Sequence, residues 1–447
     1  MRKNKGITLV ALIITIVVML ILVAVSVNVI IKSNLIGTAE KTVDKYKTAS
    51  EEEGNNGVIE INGKKYASIE DYQAKKEYID SNVLGGTRVT ENTKYIKDGK
   101  TAWVPKGFTI SGIKSEQSIE NGLVIYDIPA GTTPDWSNPD SIKTKYNQFV
   151  WIPVEVKSTD TENSIASFYR SAWTANASTG GERTTGLDAK YTEPNSTYDK
   201  AGKTGIADQI TELTKSIYKY GGFYIGRYEA GSTTERAKGS SQTAEFVVQQ
   251  DKYPYIYVKW GTSMSDVSEG AVYLCNNLYI PTNTNYGATS MLCTGASWDS
   301  MLDFIKDSSH SVTDSTTWGN YLDSETYTIN RGKYAVYNTS NYTLGNFQDV
   351  VNEYSKENSA RILLTTGAAE RNSSKNIYDV GGNCTEWTTE ATSSSRRVCR
   401  GRWLLRRHRF YRSSELPWQQ RSDQQQQQYS RFPPSTLCKI VGLQAIH

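Results

Sequence analysis

The chain has 447 residues, a length that points to two or three domains. Hydrophobic residues make up 38% and charged residues 22%, enough to bury a core, so disorder throughout is excluded. Only 3 histidines are present, which argues against a His-rich metal centre or a Ser-His-Asp machine. The net charge of +3 hides an asymmetry. Residues 1–390 carry 39 basic against 45 acidic side chains (−6), whereas 391–447 carry 11 against 2 (+9). The mildly acidic body argues against nucleic-acid binding. The 5 cysteines (Cys275, Cys293, Cys384, Cys399, Cys438) contain no CxxC, which excludes a zinc ribbon and a thioredoxin-type motif on spacing. An odd number leaves at least one thiol outside any disulfide, and buried reduced thiols are the expectation in a chain this large.

Arg2, Lys3 and Lys5 precede Gly6, and residues 7–31 then run without a charge. As a helix, that run of 25 residues spans about 38 Å, enough to cross a hydrocarbon core with tilt. No charge follows until Lys32, so the cations ahead of the span orient it with its N-terminus inside. The processing-like site, Lys5-Gly6-Ile7-Thr8-Leu9, lies before the apolar run, unlike that of an ordinary cleaved signal peptide. This layout resembles the type IV prepilin family. The resemblance implies cleavage by prepilin peptidase after Gly6, Ile7 as the mature N-terminus, and an apolar helix kept as membrane anchor and assembly helix. The family carries glutamate as the fifth mature residue, to pair with a neighbouring pilin-like subunit's N-terminal amine. Here Ala11 stands in that place.

The leader (1–6) and membrane helix (7–32) are followed by a predicted helical stalk (33–56), broken by the charge run and Asn-Asn-Gly at 51–57. Residues 57–101 read as a small linker subdomain. They contain a hairpin over 58–66 that turns at Asn62-Gly63, and a short helix over 69–79. From 102 to 401 short strands alternate with polar turns. Strands are predicted over 103–108, 122–126, 149–154, 222–229 and 253–260. Helices are predicted over 205–215, 263–277 and 297–306, and no internal repeat is evident. Phe223, Tyr224, Arg227, Tyr228 and Glu229 form an aromatic and charged strand. Such a strand can hold a sugar or peptide, but packing is its commoner use. Trp298 and Trp387 are expected in the core.

Three segments carry a second resemblance: PYIYVKWGTSMSDVSEGAVYLCNNL, SMLCTGASWDSMLDFI and NIYDVGGNCTEWTTE. The last resembles the GNxWEW signature of the formylglycine-generating-enzyme and sulfatase-modifying-factor family, with Thr385 in place of the first Trp. The resemblance spans roughly residues 147–400 and implies a C-type-lectin-like fold with little regular structure and long loops. It also implies a structural Ca²⁺ held by the carbonyls of Gly381, Gly382 and Cys384 and the carboxylate of Glu386, the oxygen donors a hard cation takes. The alternative is that Gly381-Gly382-Asn383 only makes the turn and Glu386 is hydrogen-bonded. The family's oxygenases need two cysteines five positions apart after an RGG-type segment, to bind copper(I). The segment beginning Arg397-Val398-Cys399-Arg400-Gly401 has no such pair after it, so catalysis of that kind is not expected.

Residues 402–447 depart in composition. Eight arginines fall within 396–412, and 424–428 is a pure glutamine run. A basic, Gln-rich disordered tail is one reading. A frameshift near Gly401 is the preferred one. Permitted codons read one nucleotide later convert glutamines to asparagines and allow an ending VGFRPLL, which resembles the family's final strand. An uninterrupted frame across that codon would remove the idea. A chain altered in this way is expected to lack its last strand and to leave a sheet edge unpaired.

The expected fold class is thus α+β: an N-terminal transmembrane helix followed by an exported C-type-lectin-like domain with short strands and long loops. The expected function is that of a membrane-anchored, prepilin-like bacterial surface protein, not an enzyme, that binds an extracellular glycan or peptide or serves a pseudopilin-type assembly. The alternatives are an exported oxidoreductase of the formylglycine-generating type, disfavoured by the missing cysteine pair, and an anchored structural protein with no ligand.

Overall fold

The computed structural model describes residues 59–61, 64–66, 85–185, 205–236, 245–258, 270–280, 282–321, 324–338, 343–393, 396–400, 436–438 and 440–445. The expected leader, membrane helix, stalk and 69–79 helix lie outside them. Among the described residues no helix is long and apolar enough to cross a membrane. The chain divides into two units, 1–81 and 82–447. In the first, Ile59–Ile61 pairs antiparallel with Lys64–Tyr66, and Ile61 opposite Lys64 leaves two residues for the turn, as the Asn-Gly pair predicts.

The second unit mixes helices and short strands. Its central sheet contains β1 (Thr109–Ile110), β2 (Val124–Tyr126), β3 (Gln148–Pro153), β4 (Gly222–Gly226), β5 (Ala288–Leu292) and β6 (Ile440–Ala445). They lie in the order β5-β6-β4-β3-β2-β1, and every neighbouring pair is antiparallel. The period-2 alternation of a strand sends Phe149, Trp151, Tyr224 and Ile125 to one face, and Val150, Ile152, Phe223 and Ile225 to the other. Both faces are buried, which is why these strands read as unbroken apolar runs.

Helices complete the two cores. Helix α1 (Ile206–Tyr220) buries Ile206, Leu213, Ile217 and Tyr220, and stops at Gly221, whose φ of 74° lets its N–H reach the Ile217 carbonyl. Helix α2 (Ala271–Leu278) packs Ala271, Val272 and Cys275 into the Trp151 side. Helix α3 (Gly295–Ile305) packs Trp298, Met301, Leu302 and Ile305 into the opposite side. Thr294 caps α3, accepting a hydrogen bond from Ser297 N at 3.0 Å. A smaller cluster around Tyr327, Ile329, Ile362 and Leu364 lies beside the pairing of Lys333–Asn338 with Ile362–Leu364.

Several expectations change. Lys100–Val104 pairs with Thr93–Lys97 as one hairpin, which spans the position where the exported domain is expected to begin. The strand predicted over 253–260 shrinks to Tyr253–Pro254. Pro254 offers no amide donor, and Tyr257 takes a φ of 59°, which a strand does not tolerate. The helix predicted over 263–277 is described only from Ala271. An altered tail is expected to lack the last strand, but among the described residues a tail segment does add a strand to the central sheet. The main chain of Ile440–Ala445 fills the slot between β5 and β4, with Leu443 opposite Tyr224 and Ile440 opposite Leu292. Thr436–Cys438 runs parallel to the start of Thr385–Ser393.

Candidate functional site

The Gly381-Gly382-Asn383 turn is the element the sequence singled out, and steric constraints fix its glycines. Gly382 has a φ of +86°, and a Cβ there would lie 2.3 Å from the Asn320 carbonyl oxygen. The Gly381 carbonyl accepts from Asn320 N at 2.8 Å, and Asn383 N returns a bond to the Asn320 carbonyl at 3.0 Å. Asn383, itself at a φ of 51°, ties three segments together. Its Oδ1 accepts from Leu364 N (2.9 Å) and from Asn320 Nδ2 (3.0 Å). Its Nδ2 donates to the Glu229 carboxylate (2.8 Å) and to the Leu364 carbonyl (3.2 Å).

One carboxylate that touches this loop is Glu229. Its Oε1 accepts from Cys384 N at 3.2 Å, and the whole side chain is buried. Glu386 is buried too, on the strand Thr385–Ser393, where its main chain faces Arg400 and Leu437. The expected calcium donors thus fall on one turn and the strand leaving it. Their oxygen chemistry suits a hard cation, and the Gly381 carbonyl, engaged once by Asn320, keeps a second lone pair. Among the described residues no group of three or more His, Cys, Asp or Glu is placed to hold a metal ion. Cys275, Cys293 and Cys384 are buried thiols.

Two further buried charge clusters lie in the second unit. In the first, Glu116 accepts from Arg227 (2.8 Å), Lys143 (3.2 Å), Ser111 Oγ (2.7 Å) and Tyr126 OH (2.8 Å). Burial alone would raise the Glu116 carboxyl. The Arg227 and Lys143 cations, helped by the two hydroxyls, outweigh it and lower the pKa to about 2. Arg227 also reaches Gln148 Oε1 at 3.1 Å and lies over the rings of Tyr228 and Tyr378. In the second cluster Arg170 bridges Asp299 and Glu390. Burial pushes the Asp299 carboxyl up, although Arg170, Ser171 N and Trp173 Nε1 pull it down. Gly295 opens α3 against this cluster, and a Cβ there would lie 2.3 Å from both the Glu390 carboxyl carbon and Arg170 Cδ.

Phe223, Tyr224, Arg227, Tyr228 and Glu229 are all buried, so the aromatic and charged strand is a packing element along most of its length. Trp298 and Trp387 lie in the core as expected, and Trp387 Nε1 donates to the Val258 carbonyl at 3.0 Å. Sequence reasoning did not find Glu116, Arg170, Asp299 or Glu390. Nothing local marks them, since their oppositely charged partners lie on distant segments of the chain. Gly6 and Ile7 lie outside the described residues. Comparison of the chain with protein-family models, with curated proteins and with solved structures gives no match in any of the three.

Proposed function

We propose that this chain is a membrane-anchored, prepilin-like bacterial surface protein whose exported domain serves binding or adhesion, or a pseudopilin-type assembly, and not catalysis. The observation that carries the reading is the uncharged run of 7–31 directly behind Arg2, Lys3, Lys5 and Gly6. The buried charges of the second unit are consistent with it. Glu116, Glu229, Asp299 and Glu390 each spend their oxygens on cations or amides within the protein, as scaffold carboxylates do. N-terminal sequencing of the full chain recovered from membranes tests the reading. A start at Ile7, with the domain open to added protease on intact cells, is the expected result. An intact Met1 in the membrane makes it a plain anchor, and recovery from soluble cytosol removes the reading.

A structural Ca²⁺ at Gly381, Gly382, Cys384 and Glu386 belongs to the same proposal. Adding Ca²⁺ to chelator-treated protein is then expected to raise stability by about 3 kcal/mol at a hundredfold excess over the dissociation constant. Glu386→Gln should abolish that rise. A thermal midpoint blind to Ca²⁺ would mean that hydrogen bonds alone hold the loop. The altered reading frame after Gly401 is also part of the proposal, and the nucleotide sequence across that codon tests it.

A further inference from the structure

The hairpin of Thr93–Lys97 and Lys100–Val104 forms a two-stranded sheet of its own. Its two faces differ in chemistry. Tyr95, Ala102 and Val104 alternate onto one face and are buried in the core. Lys94, Ile96, Thr101 and Trp103 alternate onto the other. Lys94 lies directly opposite Trp103, and Ile96 opposite Thr101, so each apolar group has a polar neighbour across the pair. Lys94 and Thr101 are exposed, whereas Ile96 and Trp103 are half-buried. Trp103 packs edge to face on Tyr220 at 5.3 Å, and the exposed Lys219 holds its ammonium 5.1 Å from the same Tyr220 ring. At the turn Lys97 lies opposite Lys100, and residues 97–100 are all exposed.

The charge of this hairpin is opposite to that of the body that carries it. Residues 93–104 hold 3 lysines and 1 acid, Asp98, whereas the body is net acidic. Lys100 meets Glu120 at 3.1 Å, but both are exposed, and such a pair contributes little in water. Positive charge calls for an anionic partner. Half-exposed tryptophan and isoleucine among the lysines favour a partner with an apolar layer beneath its charges, which a soluble polyanion lacks. An anionic lipid surface has both. Its phosphates attract each lysine to the extent of about fivefold in binding, and its headgroup layer is where tryptophan settles. The hairpin is the first paired element of the second unit, and residues 32–92 separate it from the uncharged run of 7–31. Those residues reach at most about 200 Å, so a bilayer that holds the run keeps the hairpin within range and makes even a weak contact intramolecular. We infer that the outer face and tip of this hairpin dock on the anionic surface of the bilayer that anchors the chain, with Lys94, Lys97 and Lys100 against lipid phosphates and Trp103 and Ile96 in the headgroup layer. This assignment rests on the membrane-anchored reading above.

The test uses the full chain with vesicles of phosphatidylcholine, alone or mixed with anionic phosphatidylglycerol, each with and without brominated acyl chains. Bromine quenches tryptophan that enters the lipid, and the part of the quenching lost in Trp103→Phe reports Trp103. The expected result is such quenching in the anionic vesicles, weakened by added salt. Lys94→Gln, Lys97→Gln and Lys100→Gln together should lower the ratio of docked to undocked chains about a hundredfold. These side chains are exposed, so the thermal midpoint should hold. The assignment is overturned if Trp103→Phe is quenched as strongly as wild type, if neutral vesicles quench as well as anionic ones, or if the triple variant docks like wild type. Retention on soluble polyphosphate without quenching by lipid also overturns it, in favour of a polyanion contact. Flotation separates this assignment from the anchor reading. A chain that floats with neutral vesicles but shows no Trp103 quenching in anionic ones keeps its anchor and loses the docking face. A chain that does not float with neutral vesicles loses the anchor reading. Salt-sensitive flotation with anionic vesicles, present or absent in the triple variant, then still decides the hairpin.

Discussion

Replacing Arg227 by methionine should cost about 3–5 kcal/mol of stability, because it strands the Glu116 carboxylate inside the core. Arg227 and Glu116 are both almost fully buried, and the guanidinium supplies the 2.8 Å contact that offsets desolvation of the carboxylate. Lys143 at 3.2 Å compensates only in part. The pH dependence gives an independent readout. The Glu116 carboxyl titrates near 2 when folded and near its ordinary 4.5 when unfolded. The unfolded chain therefore binds the proton first. The contribution is fully present above about pH 4.5 and fades as pH falls toward 2. A gap of this size corresponds to about 3 kcal/mol. Urea unfolding of the wild-type chain at a series of pH values should show this acid limb, and Arg227→Met should lose most of it. A variant within 1 kcal/mol of wild type, with the limb intact, would show that the cluster does not hold the sheet to its flanking segments.

The second large effect is expected at Asn383. Truncation to alanine removes four side-chain hydrogen bonds at once and leaves Leu364 N and one oxygen of Glu229 short of a partner. It also places a non-glycine residue without a local polar side chain at a φ of 51°. Unsatisfied buried groups cost about 1–3 kcal/mol each, so a loss of about 3–4 kcal/mol is expected in the same urea experiment. Asn383→Asp should be worse despite its near-identical shape. It replaces the amide donor with a carboxylate facing Glu229, so two like charges meet about 2.8 Å apart in a partly buried site. The penalty should ease at low pH, when one of the two protonates. If Asn383→Asp is better tolerated than Asn383→Ala at neutral pH, a cation must be present to shield the pair, which would favour the calcium reading of this loop.

The two predictions probe features that stood very differently in the sequence. The Gly-Gly-Asn turn was visible from residue type alone, because consecutive glycines followed by asparagine before a strand can only serve a turn with positive φ. Its carboxylate partner was not visible. Glu229 lies 154 residues from Asn383, and the resemblance pointed to Glu386 instead. The Arg170 cluster was equally hidden, with partners 129 and 220 residues away. Charge pairing of that kind leaves no periodic trace, since a single arginine has no neighbour that identifies it as buried.

Local chemistry located the strands predicted over 122–126, 149–154 and 222–229, where apolar runs lie between turn residues, although the last ends at Gly226. It placed helices at 205–215 and 297–306, but not the Gly221 C-cap that carries α1 on to Tyr220 or the Thr294 N-cap that opens α3 at Gly295. It failed at 253–260, where Pro254 and the positive φ of Tyr257 outweigh β-propensity. Folding alone decided that one sheet is buried on both faces, that residues 440–445 enter it between β5 and β4, and that Trp103 packs on Tyr220. Periodicity and capping act within a few residues and can be read along the chain. Sheet order, buried ion pairs and aromatic contacts of this kind depend on distant segments meeting, and they exist only once the topology has closed.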